Sequence, residues 1–311
     1  MKLHNLRDFI AVARMGGVRS AARELGLSQP SLTKSIRQLE RELGMPLFER
    51  SAKGAALNAF GRSFLVRAQQ AANALKRGED ELHQMAGGSG GSVAAAVSGL
   101  PCLQLLPGAL RAFSKRYPEA RVRIVEGVYA VMLPELRANA IDFALVPQPT
   151  RPLGSEFVVE PMFKDRCVVV GRKGHPLRGA KSLAQLLDAQ WVVTGEAGPQ
   201  SNEFDAAFKD NGLRVPRANY QCESLIALLS IISNSDLLVF LPQKWLGNHV
   251  TDGLLEEIPV REHIETPAIC LIRREGLPLT PAAEALVNAL TLEAQHRKNL
   301  ASGQKRLVKL A

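Results

Sequence analysis

Within nine positions, Gln29, Ser31, Thr33, Lys34 and Arg37 gather an amide, two hydroxyls and two cations. That set suits double-stranded DNA. A glutamine amide pairs with an adenine edge, a threonine methyl meets a thymine methyl, and Lys or Arg reaches phosphate or a base. Pro30 sits among them, where the first turn of a helix tolerates its missing N–H. Arg50 and Lys53, a short distance on, suit phosphate, a contact that fixes register without reading sequence. Arg19, Arg23 and Arg41 read as solvated charges.

A second group lies in the body of the chain. Ser98-Gly99-Leu100-Pro101 ends an apolar run and opens a helix, so a hydroxyl and unpaired N–H groups face a small anion there. Tyr129 adds a hydroxyl and an aromatic wall after the next run. Thr194 ends a strand, Ser201 and Asn202 open a helix, and Ser224 opens another. Leu100, Tyr129 and Phe204 offer apolar surface to the rest of a ligand. Each of these Ser, Thr and Asn residues also reads as an ordinary helix cap.

Enzyme chemistry finds no foothold in the motifs. The chain has no GxSxG, GxxxxGK[ST], HExxH or GxGxxG pattern. An α/β enzyme with an accessory DNA-binding head is therefore the rival reading. An architectural DNA binder would not need so large a body. Cys102, Cys167, Cys222 and Cys270 are widely spread without metal-ligand spacing, which predicts free, mostly buried thiols and neither metal nor cofactor. His175, before Pro176 in a turn, reads as structural, and Trp191 and Trp245 as core.

Charge points the same way. Residues 1–86 hold 14 Lys/Arg against 8 Asp/Glu, and residues after Glu293 hold five basic side chains and no acid. The remainder is close to neutral, so the basic head marks nucleic acid as a partner rather than general adhesion. No apolar run is long enough to span a membrane, and the N-terminus lacks a secretory pattern, which predicts a cytoplasmic protein.

The elements that must position these groups follow from periodicity. Leu6, Phe9, Ile10 and Ala13 share one helical face, and a short helix carrying Ala21, Ala22 and Leu25 follows. Ser28 caps a third helix whose Leu32, Ile36, Leu39 and Leu43 recur at spacings of 4, 3 and 4. Leu47–Arg50 and Ala55–Leu57 flank a turn at Lys53-Gly54 and read as a two-stranded wing. A long helix over 61–85 carries a heptad seam through Leu65, Ala68, Ala72, Leu75, Glu79 and Leu82, and a Gly-rich hinge follows at 87–91. A core stripe against the chain's own domains is the alternative reading of that seam. Residues 92–295 alternate strands and helices, with helical stretches that include 102–117 and 182–188, which predicts parallel sheets with helical crossovers, long enough for two lobes. The lobes are expected over 92–161 with 268–295, and over 162–267. The basic tail, 296–311, is expected to be disordered.

The stretch from Ser20-Ala21-Ala22-Arg23-Glu24-Leu25-Gly26 through Ser28-Gln29-Pro30-Ser31-Leu32 to Leu43-Gly44-Met45-Pro46-Leu47-Phe48-Glu49-Arg50 closely resembles the LysR-type transcriptional regulators. Ile141-Asp142-Phe143-Ala144-Leu145 and Gly174-His175-Pro176-Leu177 fit recurrent segments of the same family. Leu57-Asn58 departs from the family's usual Leu-Thr. Cys222-Glu223-Ser224 with Asn234-Ser235-Asp236 resembles the subgroup of toluenesulfonate and galactose-binding-protein regulators. The resemblance implies an α+β chain: a winged helix-turn-helix over 1–60, a linker helix and hinge over 61–91, and a two-lobed, periplasmic-binding-protein-like effector domain over 92–295. It implies operator DNA read by the third helix, with Gln29, Pro30, Ser31, Thr33 and Lys34 nearest the bases. It further implies an effector, expected to be an organic carboxylate or sulfonate with its acidic group at Ser98. A homodimer through the linker helix, joining into a homotetramer, and contact with RNA polymerase complete the expected partners.

Overall fold

The fold was obtained as a computed structural model, which describes residues 1–51, 54–127, 129–194 and 202–308. The head contains α1 (Leu3–Met15), α2 (Val18–Leu25) and α3 (Gln29–Leu43), then the antiparallel strands β1 (Phe48–Ser51) and β2 (Gly54–Leu57). Phe9, Leu32, Leu39 and Leu47 are fully buried at its centre, and Phe9 packs edge-on against Phe48 with ring centroids 5.4 Å apart. Polar side chains tie these elements together. Asn5 donates from Nδ2 to Ser35 Oγ at 2.9 Å, which ties α1 to α3. Glu40 accepts the Leu47 N–H at 2.8 Å, which ties α3 to the wing.

The linker helix α4 (Ala59–Met85) starts at an Asn58 cap. Asn58 Oδ1 accepts the Gly61 N–H and its Nδ2 donates to the Pro46 carbonyl, both at 2.8 Å. The residue that departs from the family's Leu-Thr thus caps the helix and fastens it to the head. A Cβ at Gly61 would lie 2.1 Å from the Leu47 carbonyl oxygen, so only glycine lets α4 approach the wing this closely.

Lobe I is built from β3 (Ser92–Val97), α5 (Gly99–Gln104), α6 (Leu106–Arg116), β4 (Arg121–Glu126), α7 (Tyr129–Arg137), β5 (Phe143–Pro147) and β6 (Phe157–Phe163). Lobe II follows with β7 (Cys167–Arg172), β8 (Val192–Thr194), α8 (Asn202–Lys209), β9 (Tyr220–Cys222), α9 (Leu225–Ser233), β10 (Val239–Pro242) and β11 (Leu255–Ile258). The chain then returns to lobe I as β12 (Ile269–Arg274) and α10 (Pro281–Val308). The lobe I sheet has the order β4-β3-β5-β12-β6, and β10-β7-β11 forms the main sheet of lobe II. The crossings run side by side: Cys167 bridges Ile264, and Lys164 pairs with Glu265 at 2.6 Å.

Several expectations are corrected. The lobe I sheet is mixed, because β12 comes back from lobe II and pairs antiparallel with β5 and β6, and the main sheet of lobe II is antiparallel, with β10 and β11 both pairing with β7. The single helix expected over 102–117 breaks at Leu105 into α5 and α6, since Pro107 has no N–H to return to Leu103. The stretch 182–188 shortens to a 3₁₀ turn, Leu183–Leu186. The tail expected to be disordered continues α10 as helix through Val308.

The heptad seam of α4 divides. Leu65 and Ala68 pack into the core of the head, whereas Leu75 and Leu82 stand 51% and 69% exposed. The hinge after α4 is tied at both ends. The buried Gln84 donates to the Gly90 carbonyl at 3.1 Å and accepts the Ala282 N–H at the start of α10 at 3.0 Å. A Cβ at Gly91, whose φ is +107°, would lie 2.2 Å from that same Gln84 amide.

Candidate DNA-reading face and ligand cleft

Gln29, Pro30, Ser31, Lys34 and Arg37 are exposed on α3, opposite the buried Leu32, Ile36 and Leu39. Ser28 caps the helix by accepting the Ser31 N–H at 3.3 Å, and its hydroxyl meets the Ser31 hydroxyl at 2.8 Å. Half-buried Thr33 donates its hydroxyl to the Gln29 carbonyl at 2.9 Å, which leaves the methyl as its contact group. Lys34 and Arg37 form no salt bridge with the described residues, whereas Arg14 is paired with Glu24 and Arg41 donates to Gln38. Arg50 lies on β1, its backbone opposite Ala55. Lys53 lies outside the described residues.

Between the lobes is a cavity of about 590 Å³, a size that fits a small organic molecule. Its lining includes Ser98, Leu100, Tyr129, Thr194, Phe204 and Ser224. Six of the eight sequence-predicted ligand residues therefore converge, from separate strand and helix ends spread along the chain. Ser201 lies outside the described residues, and Asn202 is the first residue of α8.

Ser98 follows the C-terminal end of β3. Its N–H and its hydroxyl both donate to the Leu145 carbonyl, at 2.9 and 3.2 Å. The hydroxyl can therefore turn to a ligand without leaving that carbonyl unpaired. The Tyr129 hydroxyl donates to the Pro147 carbonyl at 2.5 Å, and burial, with a smaller contribution from Cys270, pushes its ionisation well above the ordinary phenol range. Tyr129 therefore serves as a neutral wall. Ser224 caps α9 by accepting the Ala227 N–H at 3.5 Å. Phe204 is shared with the core of lobe II, its ring 5.3 Å from that of Trp191. Burial, and then the charge of Glu126, pushes the Cys102 thiol up, which keeps it protonated and unreactive. The buried His175 accepts the Leu177 N–H at Nδ1 and donates from Nε2 to the Asp236 carbonyl, a structural use.

Sequence reasoning missed two features. The first is charge: Glu126, Asp165, Glu223 and Glu265 line the cavity against Arg151, the one Lys or Arg in its described lining. The second is a polar stripe along α4. Gln70 Nε2 donates to the Arg137 carbonyl at 2.6 Å and Asn73 Nδ2 to the Ala138 carbonyl at 2.8 Å. Arg77 pairs with Asp142 at 3.1 Å, and Asp80 accepts the Ser92 N–H at 3.1 Å and hydroxyl at 2.8 Å. With Gln84 these positions recur at spacings of 3 and 4, one face of a helix laid against lobe I. The carbonyls that Gln70 and Asn73 cap end α7, whose other end supplies Tyr129, Ala130 and Leu133 to the cavity. One short helix thus joins ligand cleft and linker.

A head that exposes an amide and unpaired cations on one helix, joined to two lobes that enclose a cavity, defines a DNA-binding regulator with a ligand-binding domain. Residues 3–62 match the bacterial regulatory helix-turn-helix proteins of the lysR family, and residues 86–295 match the LysR substrate binding domain. The chain belongs to the LysR family of transcriptional regulators. It is 33% identical to the regulator PcaQ of Agrobacterium fabrum over 90% of this chain and 91% of that one. It is 29% identical to the regulator GalR of Pseudomonas putida over 91% of this chain and 71% of that one. The solved structure of CbnR, a LysR family transcriptional regulator, superposes with a TM-score of 0.71 at 24% identity, covering 94% of this chain and 99% of CbnR. These relatives are named regulators, and the enzyme reading finds no support among them. No helix of the described residues is long and apolar enough to cross a membrane.

Proposed function

We propose that this regulator reads operator DNA with Gln29, Pro30, Ser31, Thr33, Lys34 and Arg37, backed by Arg50 and Lys53 on phosphate, and senses a small organic carboxylate or sulfonate between its lobes. The convergence of Ser98, Leu100, Tyr129, Thr194, Phe204 and Ser224 on one cavity carries the second half of this reading. Ser98 supplies a releasable hydroxyl donor for an acidic group, and Leu100, Tyr129 and Phe204 supply wall for an apolar body. Ser201 and Asn202 complete the proposed ligand set.

A ligand shifts the regulator only through unequal affinity for two arrangements of the lobes. Displacement of Tyr129 and Leu133 moves α7, and Gln70 and Asn73 carry that movement to the linker helix. Two copies paired along α4, through Leu75 and Leu82, place two reading heads on successive major-groove faces of an interrupted inverted repeat, and pairs of dimers form the tetramer. A thermal-shift screen of carboxylates and sulfonates tests the ligand class, followed by calorimetry of the best compound on wild type and Ser98→Ala. Ser98→Ala weakens binding by about 1–3 kcal/mol if the acidic group sits there. Equal affinity in the two proteins removes Ser98 from the site.

A further inference from the structure

Glu126 is the last residue of β4 and pairs in register with Val97, so it stands beside Ser98 at the mouth of lobe I. Its Oε1 accepts the Leu225 N–H of lobe II at 2.8 Å, a hydrogen bond that crosses the cleft. Leu225 opens α9, and the Ser224 cap serves Ala227 instead, so the chain's own carboxylate satisfies the first N–H of that helix. Carboxylate at that end also complements the helix dipole.

The other acids of the cleft are differently placed. Asp165 accepts the Lys244 N–H at 2.9 Å, Glu265 pairs with Lys164, and Glu223 meets Gln221 at 3.4 Å. Glu126 forms no ion pair among the described residues. It is exposed on the cavity wall, and one negative charge there opposes a second beside Ser98. A second bridge between the lobes, Gln104 Nε2 to the Lys244 carbonyl at 2.5 Å, lies at the far end of α5 and involves no charge.

We propose that Glu126 determines which charge the cleft accepts: held between the lobes on the Leu225 N–H, its carboxylate bars anions until the effector's own acidic group displaces it. This rests on the reading of the effector as an organic acid. Displacement exchanges Glu126 for the effector's acidic group, which lies at Ser98 and faces the start of α9, and releases Glu126 towards solvent. Ligand entry is thereby coupled to loss of an interlobe bond, with no covalent step. A dianionic compound is disfavoured, because its second charge must also face Glu126.

The test uses the full chain with sodium sulfate as the anion, titrated at constant ionic strength into wild type, Glu126→Gln and Glu126→Ala. Hydrogen exchange of residues 223–228 and Trp245 fluorescence report the cleft. Without sulfate, exchange at the start of α9 should rise about tenfold in Glu126→Ala, because the bridging bond is gone. Sulfate should bind both variants at least about tenfold more tightly than wild type, since the opposing charge is removed, and should restore protection of α9. An equal sulfate response in all three proteins, or none in any, overturns the proposal. Ser98→Ala, made alone and with Glu126→Ala, separates the two claims. A sulfate gain that survives the loss of Ser98 keeps Glu126 as the barrier and removes the acidic group from Ser98. Sulfate binding that needs Ser98 but ignores Glu126 does the reverse.

Discussion

Gln70 on the linker helix donates a 2.6 Å hydrogen bond to the Arg137 carbonyl, at the opposite end of α7 from Tyr129, whose ring walls the cleft. Coupling between sites is reciprocal, so a change at either end should register at the other. The double variant Gln70→Ala/Asn73→Ala should speed amide exchange at residues 129–133 as well as at 137–140. Each lost bond is worth about 0.5–1.5 kcal/mol. Exchange confined to the last turn of α7 would reduce the contact to a local cap.

Arg77 and Asp142 give the docked linker a pH signature. Burial raises the Asp142 carboxyl above its ordinary range and outweighs the opposing pull of Arg77 and the Ala94 N–H. A carboxyl raised in the folded state favours folding when protonated, a contribution present below its unfolded pKa and lost as pH rises through the folded one. The stability of Asp142→Asn relative to wild type should therefore improve as pH climbs from about 4 to about 7. Urea melts at several pH values check this. A difference that does not vary with pH, or that falls, contradicts it.

Gly61 makes a packing prediction. Gly61→Ala drives a methyl against the Leu47 carbonyl, and neither backbone can yield without moving α4 from the wing. The expected loss is about 1–3 kcal/mol in the head, read from denaturant unfolding of the full chain. Near-neutral stability would show that the junction is loose.

Much of this was legible in the sequence, and the failures share a cause. The cap at Ser28, the face of α3 and the strand ends that carry Ser98 and Thr194 follow from local chemistry: capping, periodicity and the pleat. Gln70, Asn73, Arg77, Asp80 and Gln84 were hidden because polar residues at helical spacing read as a solvated face; only the position of lobe I shows that they are docked. Glu126 was hidden for a similar reason, since its partner, Leu225, lies 99 positions away in the other lobe. The mixed lobe I sheet escaped because β12 returns from lobe II, a path that no local pattern records.

The exposed seam predicts assembly. Leu75 and Leu82, with Phe60 and Met85 also exposed on α4, need a partner surface. Sedimentation at micromolar protein should give a dimer or larger. Leu75→Asp should shift the mass towards monomer, because pairing would bury an uncompensated carboxylate. A monomeric wild type would contradict pairing through α4.

The reading face predicts a division of labour. Lys34→Ala and Arg37→Ala should each flatten the salt dependence of DNA binding, by about one phosphate contact. Gln29→Ala should lose about 1–3 kcal/mol of discrimination at one base position while holding random DNA as before. Binding isotherms against sites selected from random DNA separate the two behaviours. Equal losses on selected and random DNA would contradict the assignment.

The most direct test of a ligand-driven regulator is footprinting on a selected operator, with and without the carboxylate or sulfonate that most stabilises the chain. α7 touches both the cleft and the linker helix, so the compound should alter the length or the internal cleavage pattern of the footprint. Gln70→Ala/Asn73→Ala should bind the compound yet fail to alter the pattern. An identical footprint in the presence of saturating compound, with the compound shown to be bound, would contradict the account.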